Sequence, residues 1–228
     1  MTKDEIKQAV AKRAADFVTD GMTLGIGTGS TAKHLLYALA ARMKDGLRFT
    51  GVPTSAQTEQ FALELNIPMM SLDEADEIQL AIDGADEVSE QLDLIKGGGG
   101  AFLQEKMVAF AASKFIVIGD ESKLVSSLGK FPLPVEVVPY GIERIKKHIA
   151  DFGCKQISLR HRNDKVYITD HGHYVLDCHF GMINDPAQLN ISLKEIPGIV
   201  ETGLFLQMAD VALIGYANGM IRELHGKR

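Results

Sequence analysis

Four short polar stretches carry the residues that could do chemistry. GIGTGSTA (25–32) puts Thr28, Gly29, Ser30 and Thr31 in a glycine-rich turn ahead of a helix-forming run. Backbone N–H groups and a helix N-terminus would favour an anion there. The third position of a GxGxxG dinucleotide fingerprint holds Ser30, and no Gly-Lys-Ser/Thr follows. Pro53 and Thr54 occupy the strand end where a ribose-binding acid belongs. A phosphomonoester is the anion that fits; the bland alternative is a tight turn with Ser30 or Thr31 as cap.

DGADE places Asp83 and Asp86 three residues apart. That pair suits acid–base work, sugar hydroxyls or a magnesium ion, and equally a solvated turn. IKGGGGAFLQEK (95–106) sets Lys96 before four glycines and Glu105 early in the next helix. Gly97, Gly98, Gly99 and Gly100 let backbone approach a ligand and turn N–H groups towards developing negative charge. Glu105 alone reads more simply as an acid complementing a helix dipole. DESKL (120–124) adds Lys123, which in isolation is an ordinary surface lysine.

These stretches need elements to hold them. The patterning predicts helices over 2–18, 30–43, 54–65 and 101–114, with strands at 22–27, 49–53, 67–71, 77–83 and 115–121. In the helix at 101–114, Phe102, Leu103, Met107 and Phe110 form the expected apolar face. Strands alternating with helices imply an open, mostly parallel α/β sheet. All four polar stretches then fall at strand carboxyl ends, where such sheets bind ligands.

After Lys130 the texture changes. FPLPVEVVP carries three prolines and suits a crossing strand or linker. A helix over 141–152, β segments near 156–161, 165–169 and 173–178, and a helix near 185–195 make a smaller α+β unit. MADVALIG (208–215) then reads as a strand returning to the first sheet.

Composition narrows the classes. The 228 residues have a net charge of −6, which disfavours a broad nucleic-acid or anionic-membrane surface. No apolar run approaches the ~18 residues of a membrane span. Cys154 and Cys178 lack CxxC spacing and read as free thiols of a reducing compartment. His161, His171, His173 and His179 cluster in sequence, but HGH at a turn is more simply hairpin chemistry than a metal site. The charged N-terminus lacks a signal peptide's apolar core, so a cytoplasmic location is expected.

GIGTGSTA, DGADEV, KGGGGA with its following glutamate, DESKL and GKFPLPVEV together resemble the type A ribose-5-phosphate isomerase family. IPGIVETGLF and ADVALIG extend the resemblance from Lys7 to an expected final helix. It implies a Rossmann-like α/β domain (1–130 plus 206–228) with an inserted smaller α+β domain (131–205), the latter expected to serve assembly. It further implies interconversion of ribose 5-phosphate and ribulose 5-phosphate without metal or other cofactor, by a homodimer or homotetramer. Glu105 would be the base, and Asp83, Asp86 and Lys96 would contact the sugar and assist ring opening. Lys7, Ser30, Thr31 and Lys123 would bind phosphate, with Thr28 near the sugar. Two other classes stand beside it: a non-catalytic sugar-phosphate sensor, and a dinucleotide-dependent oxidoreductase that lacks its third glycine and ribose acid.

Overall fold

The computed structural model describes residues 1–226. Helix α1 (Lys3–Ala15) opens on a capping box: the Thr2 side chain accepts from the Glu5 backbone N–H, and the Glu5 carboxylate accepts from that of Thr2. Then come β1 (Met22–Ile26), α2 (Ser30–Lys44), β2 (Phe49–Pro53), α3 (Ala56–Glu64) and β3 (Leu80–Gly84). Two-residue strands β4 (Glu87–Val88) and β5 (Leu94–Ile95) precede α4 (Phe102–Ala111) and β6 (Phe115–Asp120). The next segment holds β7 (Leu133–Val137), α5 (Ile142–Asp151), β8 (Gln156–Leu159), β9 (His161–Arg162), β10 (Lys165–Val166), β11 (Tyr174–His179), α6 (Pro186–Lys194) and β12 (Ile199–Thr202). The chain ends through β13 (Leu204–Phe205), β14 (Val211–Gly215) and β15 (Ile221–His225).

The main sheet has the order β15-β14-β6-β3-β1-β2 and is parallel except for β15. Helices cover both faces because both are apolar. Leu24, Ile26, Ile82, Ile116 and Leu213 pack towards α1 and α2, while Ala81, Val117, Ala212 and Ile214 pack towards α4. The chain leaves β1 towards β2 and then returns to its other side as β3. That reversal opens a crevice between the carboxyl ends of β1 and β3. A second sheet, β12-β7-β11-β8, has its own core of Val135, Val137, Ile145, Ile149 and Leu176. Between the two lies the small sheet β13-β5-β4, so Phe205 returns to pair with Leu94 just ahead of the glycine run. No helix among the described residues is long and apolar enough to cross a membrane.

Four local expectations change. Residues 67–71 make only a single bridge, Met69 with Gly51, because Pro68 has no N–H to donate and Ser71 already opens a 3-10 turn. The proline-rich β7 is an internal strand, between β11 and β12. Pro134 sits near its start, where its carbonyl accepts the Gly203 N–H at 2.7 Å. The expected final helix is instead β15, antiparallel to β14. Its loop is Ala217-Asn218-Gly219, in which the Gly219 N–H donates to the Tyr216 carbonyl at 3.0 Å and Gly219, at φ 88°, takes the left-handed position of a three-residue hairpin. On α4 the buried face is Phe102, Glu105, Val108 and Ala109, whereas Met107 and Phe110 are exposed. A carboxylate takes the place of the anticipated apolar stripe.

Candidate active site

The crevice is built from loops that follow β1 and β3 and from the entry to α4. Lys7, Thr28, Gly29, Ser30, Thr31, Gly84, Ala85, Asp86, Lys96, Gly97, Gly98, Gly99, Glu105 and Lys123 line one cleft of about 150 Å³. Of the residues that the sequence offered for catalysis or substrate binding, Asp83 lies beneath that lining and Gly100 outside it, and the others are in it. The volume is below the ~300–1,000 Å³ typical of drug-sized sites and suits one small polar molecule. A larger cavity of about 410 Å³ lies on the far side of Ser30, between α2 and α3, without the acid–lysine cluster.

Under the cleft, Lys96 sits between two carboxylates. Its Nζ is 2.9 Å from Asp83 Oδ2 and 3.2 Å from Glu105 Oε2, and it donates to the Gly84 carbonyl. All three side chains are at most 5% exposed. Asp83 also accepts the N–H groups of Gly84 (2.7 Å) and Thr28 (3.1 Å) on Oδ1. A Cβ on Gly27 would collide with that carboxylate, so glycine is required at the end of β1 for Asp83 to reach it.

One lysine cannot fully compensate two buried acids. Burial, then the negative charge of Asp83, push the Glu105 carboxyl up to about 8 against the pull of Lys96. Burial also raises Asp83, opposed by Lys96. For Lys96, burial works against the cation, but Asp83 and Glu105 outweigh it and hold the ammonium charged beyond its ordinary range. Two backbone N–H groups favour the Asp83 anion, whereas Glu105 is opposed in its rise by Lys96 alone, so Glu105 is the group that exchanges a proton closest to neutrality. Asp83 Oδ2 and Glu105 Oε2 are buried without hydrogen-bond geometry to any donor. The ion pair with Lys96 is what compensates these two oxygens, so any loss or displacement of that cation leaves them unmatched.

At the other end, Lys7 donates to Ser30 Oγ at 2.9 Å, and Lys123 lines the same cleft. The N-terminus of α2 begins at Ser30 after Gly29, whose φ of 112° is open to glycine and strained for other residues. Two lysines, two hydroxyls and a helix start thus face the space above the acid–lysine cluster. Thr28 Oγ1 is fixed by Thr54, Ser55 and Thr58 hydroxyls at 2.8, 2.8 and 3.0 Å.

The glycine run separates into distinct roles. Gly97 and Gly100 have φ of 104° and 91°. A Cβ on Gly98 would stand 2.6 Å from Asp86 Oδ1. On Gly99 it would meet nothing nearer than 3.9 Å, so this residue faces open cleft. Among the described residues, no three or more His, Cys, Asp or Glu side chains converge as a metal site. His173 is instead paired with Glu136 at 2.9 Å.

The family model for ribose 5-phosphate isomerase A (phosphoriboisomerase A) matches residues 50–219. The chain belongs to that family. It is 47% identical to the ribose-5-phosphate isomerase A of Nitrobacter hamburgensis over 96% of this chain and 97% of that one. It is also 47% identical to the Bacillus mycoides enzyme, over 94% and 97%. A solved D-ribose-5-phosphate isomerase in complex with phospho-erythronic acid superposes with a TM-score of 0.95, at 40% identity, over 99% of this chain and all of that one. The Plasmodium falciparum ribose 5-phosphate isomerase gives 0.95 at 38% identity, over 99% and 100%.

Sequence reasoning missed the side chains that hold the cleft from behind. The Thr54, Ser55 and Thr58 hydroxyls were visible as TSAQT after a strand, a signal for an N-cap that also serves Thr28. Arg160, Arg162 and Tyr167 reach the glycine run from a hairpin more than 60 residues away, and nothing local in the sequence announces that contact.

Proposed function

We propose that this protein interconverts D-ribose 5-phosphate and D-ribulose 5-phosphate, with Glu105 as the base. The observation that carries the reading is the convergence, in one cleft, of a phosphate-type loop with a buried carboxylate whose proton affinity is raised. The phosphate rests at Ser30, Thr31, Lys7 and Lys123, which fixes the sugar so that a short carboxylate meets its carbon chain. Asp83, Asp86 and Lys96 contact the hydroxyls and help open the ring.

In the open aldose, Glu105 takes the C2 proton as the C2–H bond breaks. The electron pair forms the C1–C2 double bond and the charge moves to O1. Lys96 and the Gly99 N–H stabilise that oxygen, a contribution worth ~10²–10³ for one preorganised donor. Glu105 returns its proton to C1, O2 gives up its hydroxyl proton to become the ketone, and O1 gains a proton. Base, donors and anchor all belong to this chain, and the reading calls for no metal.

The first sheet with its helices (1–130 plus 206–228) is the catalytic domain in this reading, and 131–205 an inserted domain serving assembly. A homodimer or homotetramer would cover apolar surface such as Phe110, which is 78% exposed. The reaction belongs to the pentose phosphate pathway, in the cytoplasm. The test is ketose formation from ribose 5-phosphate in excess chelator by the folded protein. Steady turnover is expected, and binding without turnover would refute the enzyme in favour of a sensor.

A further inference from the structure

Arg160 follows β8, and its backbone N–H donates to the Val175 carbonyl at 2.9 Å, fixing it beside β11. Its guanidinium grips Asp177 with two nitrogens: Nε donates to Oδ2 at 3.0 Å, and Nη2 pairs with Oδ1. The two side chains are 11% and 21% exposed. The remaining nitrogen, Nη1, crosses to the glycine run and donates to the Gly97 carbonyl at 2.6 Å, with the Gly98 carbonyl at 3.4 Å. Arg162 and the Tyr167 hydroxyl reach the Gly99 carbonyl at 3.2 and 3.4 Å. Three consecutive carbonyls therefore face Arg160 and the β9–β10 hairpin beyond it.

A trans peptide is planar, so its C=O and N–H point in opposite directions. The peptide whose carbonyl Arg160 holds places the Gly98 N–H on Asp86 Oδ2, at 2.7 Å. The next peptide carries the Gly99 N–H, which has no acceptor among the described residues and belongs to the cleft lining. A cation on a carbonyl polarises the amide and strengthens the donor at its other end, more so away from water.

We propose that Arg160, clamped by Asp177, is a positioning residue that sets the path of the glycine run, presenting the Gly98 N–H to Asp86 and the Gly99 N–H to the reacting oxygen of the substrate. The second half of this statement rests on the isomerase reading. The second sheet then takes part in the chemistry through a chain from Asp177 through Arg160 and the 97–98 peptide to Asp86.

The test compares Arg160→Gln, Arg160→Lys and the unaltered protein by steady-state kinetics, thermal unfolding and the ¹H–¹⁵N spectrum. Arg160→Gln is expected to lower kcat by about 10–100-fold, less than outright loss of an oxyanion donor. KM should stay within about threefold, because the phosphate anchors are untouched. Arg160→Lys restores the charge without the fork and should recover part of kcat. The Gly98 amide proton should move upfield in Arg160→Gln as its bond to Asp86 weakens. If that variant unfolds, Asp177→Asn carries the same expectations. Unchanged kcat with a lowered Tm, or a raised KM alone, would overturn the proposal and leave Arg160 a strut. An unaltered protein that does not turn over would sink the isomerase reading, while the Gly98 shift would still decide the chain of contacts.

Discussion

The pH dependence of kcat/KM puts the acid–lysine cluster to its most direct trial. With Glu105 titrating at about 8, roughly one-tenth of the free enzyme holds the carboxylate at pH 7 and roughly nine-tenths at pH 9. Raising the pH across that interval should therefore raise kcat/KM about tenfold, with a slope approaching one decade per pH unit below it. The substrate's phosphate ionises near pH ~6 and leaves the interval clear. The assay is initial ketose formation between pH 5.5 and 9.5, repeated with substrate deuterated at C2. A full isotope effect across the range certifies that proton abstraction is being read. Because Glu105 and Asp83 share Lys96, the apparent value belongs to the cluster, and the residual activities of Glu105→Gln and Asp83→Asn apportion it. A profile flat from pH 6 to 9 with the isotope effect intact would refute the raised Glu105. So would the same rising limb in Glu105→Gln, which would assign it to another group.

Glu105→Gln should also alter stability with a definite sign. The folded carboxyl titrates at about 8 against an ordinary 4.5, so between those values the folded state binds more protons and wild-type stability falls as pH rises. Gln does not titrate, and the Tm advantage of the variant should grow from pH 5 to pH 9; a constant difference would contradict the burial argument. Lys96→Met leaves two buried acids without their cation and should cost about 3–5 kcal/mol in denaturant unfolding at pH 8, with activity abolished. Near-native stability at that pH would mean the acids are protonated or hydrated already. Gly99→Ala meets no crowding in the protein and should unfold within about 0.5 kcal/mol of wild type while kcat/KM drops at least ~10-fold. Undiminished kcat/KM would remove Gly99 from the substrate surface.

Much of the main sheet was legible because apolar strands alternate with amphipathic helices and every polar stretch closes a strand. Thr2 with Glu5 marked α1 to within a residue of its start, as capping chemistry is local. Met107 and Phe110 misled because helical spacing reports which residues share a face, not whether that face meets a core or solvent. IPMMS looked like a strand by composition, yet a strand at a sheet edge needs donors that Pro68 withholds. Asp83, Lys96 and Glu105 were each ambiguous in sequence. Their meaning comes from burial and mutual distance, which depend on the β1–β3 crevice. Arg160 could not be found at all, since its partners in the glycine run are backbone carbonyls and any sequence supplies those.

The order in which the main sheet is completed has a consequence for synthesis. β6 is buried along its whole length between β3 and β14, yet the chain runs from Asp120 to Val211 before β14 exists. At ribosomal rates of ~5–20 residues per second, the FIVIGD strand waits for several seconds with one side unpaired. During that interval β7 to β12 can form their own sheet, because their pairings are all internal to the intervening segment. The emerging chain thus presents a bare apolar edge of the kind that recruits foreign strands. Crowded nascent chains, more than the finished protein, are where this molecule is most exposed to aggregation, and a circular permutant that makes β14 before β7 should relieve it.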